Sequence, residues 1–104
     1  VTCVDSSQKA IDQISYNAAL NQVSNVNAIC ADAFEYLKIK TDEQFDVVVL
    51  DPPALIQKRR DFEQGRQAYF VLNEQALKRT KDGGILISAS CSLHMTTEDL
   101  LNIV

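Results

Sequence analysis

A cysteine set between two serines, Ser90-Cys91-Ser92, follows an apolar run late in this sequence. A thiol at the tip of a strand becomes a nucleophile where a helix N-terminus or a turn lowers its pKa and exposes it. Beside an apolar strand a cysteine is more often a small, inert core residue, and Cys3 and Cys30 are read that way. Cys91 is the candidate nucleophile. His94, three residues on, could serve as its base, although a lone histidine there also suits polar loop surface. The second chemical feature is Asp51-Pro52-Pro53, which closes the apolar run FDVVVL. Pro52 bars Asp51 from the helical region, and neither proline offers an N–H to a ladder, so a strand must end there with the carboxylate aimed into the crevice beyond it. Ligands of open α/β sheets bind in that crevice. An acid opening an ordinary Pro-Pro turn would read the same way.

Two more acids, Asp5 and Asp32, arrive just past apolar runs. Ionised carboxylates only accept hydrogen bonds. That suits Asp5 to the vicinal hydroxyls of a ribose and Asp32 to an exocyclic amine. Each acid could instead merely cap the helix that follows it.

The elements that must position these residues alternate along the chain. Residues 1–4 and 26–30 read as short strands, and residues 47–50 as a strand covered on both faces. The run at 85–89 is the fourth strand. Ser6 or Ser7 can cap a helix reaching about Asn21, with Ala10, Ile11, Ile14 and Ala18 on one face. A short helix covers 33–38, and a polar loop covers 54–65. A longer helix is predicted over 66–80, with Tyr69, Leu72, Ala76 and Leu77 at helical spacing and Asp82-Gly83-Gly84 as its stop. Thr96 or Thr97 caps a last helix carrying Leu100, Leu101 and Val104. The order β-α-β-α-β-α-β-α implies a parallel sheet with right-handed crossovers.

Composition narrows the class. The 104 residues suffice for one domain with a real core, and 46% apolar with 23% charged residues describes a folded chain rather than a disordered one. No apolar run approaches the roughly 20 residues needed to span a bilayer, so no membrane partner is expected. One histidine and three scattered cysteines make no metal-ligand set and no disulfide framework. Reduced thiols fit a cytoplasmic protein. A net charge of −4 argues against the whole surface binding nucleic acid. Lys58, Arg59 and Arg60 form a local exception directly after the Asp-Pro-Pro turn, either as phosphate contacts or as a solvated loop.

Taken together, VDSS (residues 4–7), CADAF (30–34), FDVVVLDPP (45–53), the Tyr69-x-x-Leu72-Asn73 helix, GGILISASCS (83–92) and the His94-Met95 pair resemble the class I S-adenosylmethionine-dependent methyltransferases. More narrowly, they are similar to the bacterial 23S ribosomal RNA cytosine-5 methyltransferases of the single-cysteine type. DPP alone is shared with many amino-group methyltransferases; DPP combined with SCS at the next strand end is more specific. The resemblance implies an α/β fold, a partial Rossmann-like sheet, mostly parallel, with helices on both faces. Residues 1–104 would supply the second to fifth strands of the methyltransferase domain. It further implies S-adenosylmethionine as cofactor and ribosomal RNA as partner. Asp5 with Ser6 would lie at the cofactor ribose, Asp32 with Ala33 by the adenine, and Asp51 with Pro52 between methyl donor and target base. Cys91 would be the nucleophile, and Pro53, Lys58, Arg59 and Arg60 would meet the RNA.

Departures from the family pattern carry expectations of their own. Other RNA cytosine-5 methyltransferases place a second cysteine just after the proline of this motif, where Pro53 and Ala54 stand here. The glycine-rich loop that cradles the methionine part of the cofactor is also absent. The family's first strand would lie between the strand ending at Asp5 and the strand ending at Asp51. Without it the chain is expected to be a fragment with little activity of its own, forming two two-stranded halves with exposed apolar edges. The gap would be closed by non-native pairing or by self-association. Two rival readings remain: a guanine or amino-group nucleic-acid methyltransferase of the same fold, which would not need Cys91, and a non-catalytic scaffold module.

Overall fold

The computed structural model describes residues 1–104, which form two compact units, Val1–Ile39 and Lys40–Val104. The first unit contains strand β1 (Thr2–Asp5), helix α1 (Gln8–Leu20), strand β2 (Asn27–Cys30) and helix α2 (Ala33–Lys38). β1 and β2 pair in parallel, with Asp5 opposite Cys30. Ser7, not Ser6, caps α1, its hydroxyl accepting from the Ala10 N–H at 3.3 Å. Ile11 on α1 is buried.

The second unit contains β3 (Phe45–Leu50), a 3-10 turn (Arg59–Asp61), α3 (Phe62–Lys78), β4 (Thr80–Ser88) and α4 (Thr97–Ile103). β3 and β4 are also parallel. The expected class, α/β with parallel strands joined by helices, is therefore what forms. The expected division into two two-stranded sheets, β1 with β2 and β3 with β4, also forms.

Several local expectations are corrected. Residues 47–50 are not covered on both faces: Val47 and Val49 are 52% and 64% exposed, whereas Leu50 is buried. Successive strand residues face opposite sides. α3 packs against β3 and β4, and Ile85 and Ile87 on β4 are about as exposed as the two valines.

The helix expected from residue 66 begins at Phe62, led in by the 3-10 turn. Its start is set by packing rather than by local pattern. Phe62, Leu55 and Leu100 lie against a core of Ile56, Tyr69, Met95 and Ile103. Leu77 is exposed, and Asn73 is buried, its amide donating to the Tyr69 carbonyl at 2.8 Å.

Asp82-Gly83-Gly84 does not end α3, which stops at Lys78. It forms an irregularity inside β4, where the register passes from Phe45 opposite Thr80 to Val47 opposite Ile85. Gly83 has a φ of 76°, and a Cβ on Gly84 would lie 2.8 Å from the Asp46 carbonyl. The pair therefore permits the extra residues to fold out of the ladder.

Gly65 lies buried within α3. In an open helix, alanine there would stabilise by about 1 kcal/mol. Here its Cβ would run into Ile56 Cγ1 and lie 2.8 Å from the Leu55 carbonyl oxygen. Gly65→Ala is expected to destabilise the full-length protein by about 1–3 kcal/mol, read as a lower denaturant midpoint. An unchanged or higher midpoint would show that the loop at Leu55 and Ile56 yields without cost.

α4 opens with a capping box. The Thr96 N–H donates to Asp99 Oδ2 at 3.0 Å, and the Asp99 N–H donates to Thr96 Oγ1 at 3.1 Å. The Thr96 backbone bond, and then its hydroxyl at 2.7 Å, hold the Asp99 carboxyl below the ordinary carboxylate range. A lowered folded pKa contributes stability that is present above the unfolded value of about 4 and is lost as pH falls through the folded value. Amide hydrogen exchange of α4 is expected to accelerate in that acid window, relative to intrinsic rates. Asp99→Asn is expected to remove this pH dependence; if the variant keeps it, another group is responsible.

Candidate active site

The β3–β4 register brings two chemically distinct tips together. Leu50 lies opposite Ser88, and the Ala89 N–H donates to the Leu50 carbonyl at 2.9 Å, so the ladder runs one residue past β4. Both strands end at the same edge because they are parallel. Asp51-Pro52-Pro53 and Ser90-Cys91-Ser92 therefore leave that edge side by side. The Cys91 thiol lies 3.9 Å from the Pro52 carbonyl, a weak S–H contact, and Cys91 is exposed. It sits in a turn well before α4, which begins only at Thr97, and so not at a helix N-terminus. Asp51 is exposed, and its carboxylate takes no part in a hydrogen bond or ion pair. An acid that caps nothing at a strand tip retains its full accepting capacity for a ligand.

In the first unit, the two acids are partly engaged. Asp5 Oδ1 accepts from the Ser7 N–H at 2.7 Å. Asp32 caps α2, Oδ1 accepting from the Glu35 N–H at 3.1 Å. Each keeps its second oxygen. β1 and β2 place them near each other, since the Ala31 N–H donates to the Asp5 carbonyl at 3.0 Å. Ser6 and Ala33 are exposed beside them, and the Cys30 thiol lies 3.6 Å from the Ser6 carbonyl.

Lys58, Arg59 and Arg60 are exposed around the 3-10 turn in the second unit, as is Pro53. Arg60 Nε lies 3.9 Å from the neighbouring Asp61 carboxylate, both side chains well exposed, a separation at which an ion pair contributes little. The three cations thus present largely uncommitted charge on the loop that follows Asp51. His94 is exposed in the turn after Ser92, with no hydrogen bond to Cys91.

Beneath the thiol lies a buried hydroxyl cluster that the sequence pattern alone did not show. Tyr69 is fully buried, and its hydroxyl lies 2.7 Å from Ser92 Oγ and 2.8 Å from Ser90 Oγ. Ser92 Oγ also accepts the Ile56 N–H at 3.1 Å. The sequence marks Tyr69 as an apolar helix position and as part of the Tyr69-x-x-Leu72-Asn73 motif but not as a hydroxyl partner; the available signal is a phenol there together with serines on both sides of one cysteine.

Parallel strands joined by helices, with acids at the ends of β1, β2 and β3 and a thiol after β4, define a Rossmann-like α/β fold, a class whose ligands bind beyond the strand ends. A family model described as a methyltransferase domain matches residues 1–103, and the chain belongs to that family. It is 40% identical over 103 residues to a ribosomal RNA large subunit methyltransferase of Deinococcus radiodurans, covering 95% of this chain and 25% of that protein. It is 35% identical over 102 residues to ribosomal RNA large subunit methyltransferase I of Klebsiella pneumoniae, covering 94% of this chain and 26% of the relative. The chain thus spans about a quarter of the length of these curated relatives. Among solved structures it matches a methyltransferase homologue from Pyrococcus horikoshii, with a TM-score of 0.75 at 21% identity over 98% of this chain and 34% of that one. A putative methylase from Haemophilus influenzae matches with a TM-score of 0.60 at 24% identity, over 94% of this chain and 59% of that one. Both are likenesses of fold.

Proposed function

We propose that this chain is part of an S-adenosylmethionine-dependent enzyme that methylates carbon 5 of a cytosine in 23S ribosomal RNA, with Cys91 as the covalent nucleophile. The observation that carries the reading is the exposed Cys91 thiol beside the Asp51-Pro52-Pro53 turn, 3.9 Å from the Pro52 carbonyl. An amino-group methyltransferase would need the acid of that turn but not the thiol. Similarity to ribosomal RNA large subunit methyltransferases supports the substrate class.

The donor set suits the cofactor. Asp5 retains Oδ2 for a ribose hydroxyl after Oδ1 has taken the Ser7 N–H, and Asp32 retains Oδ2 for the adenine amine. Ser6 and Ala33, exposed beside these acids, would line the same ligand. When bound, S-adenosylmethionine supplies an electrophilic methyl group on sulfonium sulfur.

This chain's residues then account for activation of the base. Carbon 5 of cytosine is a poor nucleophile until the Cys91 thiolate adds at carbon 6. Addition shifts the ring's electron pair toward carbon 5, making it the nucleophile that would take the methyl group as the sulfonium S–C bond breaks and S-adenosylhomocysteine leaves. A base then removes the carbon 5 proton, and the electrons left behind expel the thiolate. Asp51 accepts hydrogen bonds from the polar edge of the ring as this charge redistributes. A single cysteine leaves the final proton removal to a group other than a second thiol. The target base must leave its stack to reach such a site, and Pro53, Lys58, Arg59 and Arg60 would hold the flanking backbone by contacts to phosphate.

The direct test is ribosomal RNA containing 5-azacytosine, which traps a thiol added at carbon 6. The full-length protein is expected to form a denaturation-resistant adduct whose peptide map ends on Cys91. A normally methylating enzyme that forms no adduct would contradict the covalent reading and favour amino-group transfer.

A further inference from the structure

We infer that Tyr69 is a positioning residue whose buried hydroxyl holds both neighbours of Cys91 and ties the turn bearing that thiol to the loop that follows Asp51. The inference rests on the reading of Cys91 as nucleophile.

Its basis is a closed set of hydrogen bonds. The Ser90 hydroxyl donates to Tyr69 Oη at 2.8 Å, and Tyr69 Oη shares a proton with Ser92 Oγ across 2.7 Å, either oxygen being able to donate. The Ser92 N–H donates to Ser90 Oγ at 3.2 Å, which closes the turn across Cys91. The Ile56 N–H then donates to Ser92 Oγ at 3.1 Å, joining the loop at 54–58 to the same hub. Tyr69 is 0% exposed, Ile56 2% and Ser92 5%, so the bonds among these three are shielded from water and costly to leave unmade, whereas Ser90 is half-buried.

Cys91 itself is exposed while its neighbours are pinned. That combination gives an accessible thiol on a fixed backbone. α3 contributes a second constraint to the same loop. Gly65 lies one turn before Tyr69 on the same helix face, and only its missing side chain lets Leu55 and Ile56 approach. One helix therefore sets the position of the turn after Asp51 and of the turn bearing the thiol. Attack at carbon 6 requires the sulfur at a fixed distance and angle, and misplacement by about 1 Å can cost about a hundredfold in rate.

The test uses full-length Tyr69→Phe, which keeps the ring in the core and removes only the hydroxyl. Ser90→Ala serves as an independent variant and Cys91→Ala as the control. Expected for Tyr69→Phe is a fall in kcat of about ten- to a hundredfold, with KM for RNA and for S-adenosylmethionine nearly unchanged. Alkylation of Cys91 by iodoacetamide, followed peptide by peptide, is expected to rise as its turn loosens, while Cys3 and Cys30 keep their rates. Ser90→Ala is expected to shift both readouts in the same direction by less.

Loss of turnover in Cys91→Ala, together with wild-type kcat and alkylation in Tyr69→Phe, would overturn the positioning role alone. Undiminished turnover in Cys91→Ala would remove the nucleophile and this role with it. Equal acceleration of alkylation at all three cysteines would show general unfolding and would also overturn it.

Discussion

Replacing Cys91 by alanine in the full-length protein is expected to reduce methyl transfer to ribosomal RNA by at least about a thousandfold, a loss of roughly 4 kcal/mol of transition-state stabilisation. On the proposed mechanism cytosine carbon 5 would have no other route to nucleophilicity, because neither Asp51 nor His94 adds to carbon 6 as a thiolate does. The effect should fall on kcat. Cys91 makes no hydrogen bond beyond the weak contact to Pro52, and its side chain is exposed, so folding should be nearly unaffected. Adduct formation with RNA containing 5-azacytosine should disappear as well. Near-normal turnover in this variant would instead assign the chemistry to Asp51-Pro52-Pro53 alone. Calorimetry with S-adenosylmethionine addresses the scaffold alternative, since a degenerate module would release no binding heat.

The second large effect is expected at Asp51. Asp51→Asn keeps the shape of the side chain and removes its charge, and kcat is expected to fall by about a hundredfold, or about 2.7 kcal/mol. The carboxylate has no partner within the protein, so the substitution breaks no internal contact. Stability should therefore hold while turnover falls, a separation that a structural acid would not give. The KM for S-adenosylmethionine should change less than kcat if the main role is toward the activated ring. A variant within threefold of wild type in kcat would show that the acid only terminates β3. If, as proposed, the two substitutions act on one step, their combined loss should fall well short of the sum.

What the sequence makes legible differs by element. The acids Asp5, Asp32 and Asp51 were placed just past strands because each follows an apolar run and precedes a helix or a proline pair. The structure puts them there, at the tip of β1, the cap of α2 and the end of β3. The start of α3 is not written in local pattern, because residues 59–65 show no helical periodicity; Phe62 and Gly65 are drawn into the helix by packing against Leu55 and Ile56. Asp82-Gly83-Gly84 differs from the expected helix stop for a related reason. Local turn chemistry marked a break correctly but could not say that the break lies inside a strand.

Residue types and alternation alone determined the parallel α/β class, the acids at strand ends and the single thiol between two serines. These are local properties, written in apolar period, proline constraint and side-chain chemistry. Tertiary structure decided which tips became neighbours: the register of Leu50 opposite Ser88 sets Cys91 beside Pro52. It also decided that Tyr69, read from the sequence as one position of a helix stripe, sends its hydroxyl to Ser90 and Ser92. Long-range hydrogen bonds of this kind depend on the relative placement of β4, α3 and the loop after Asp51. No window of neighbouring residues contains that placement.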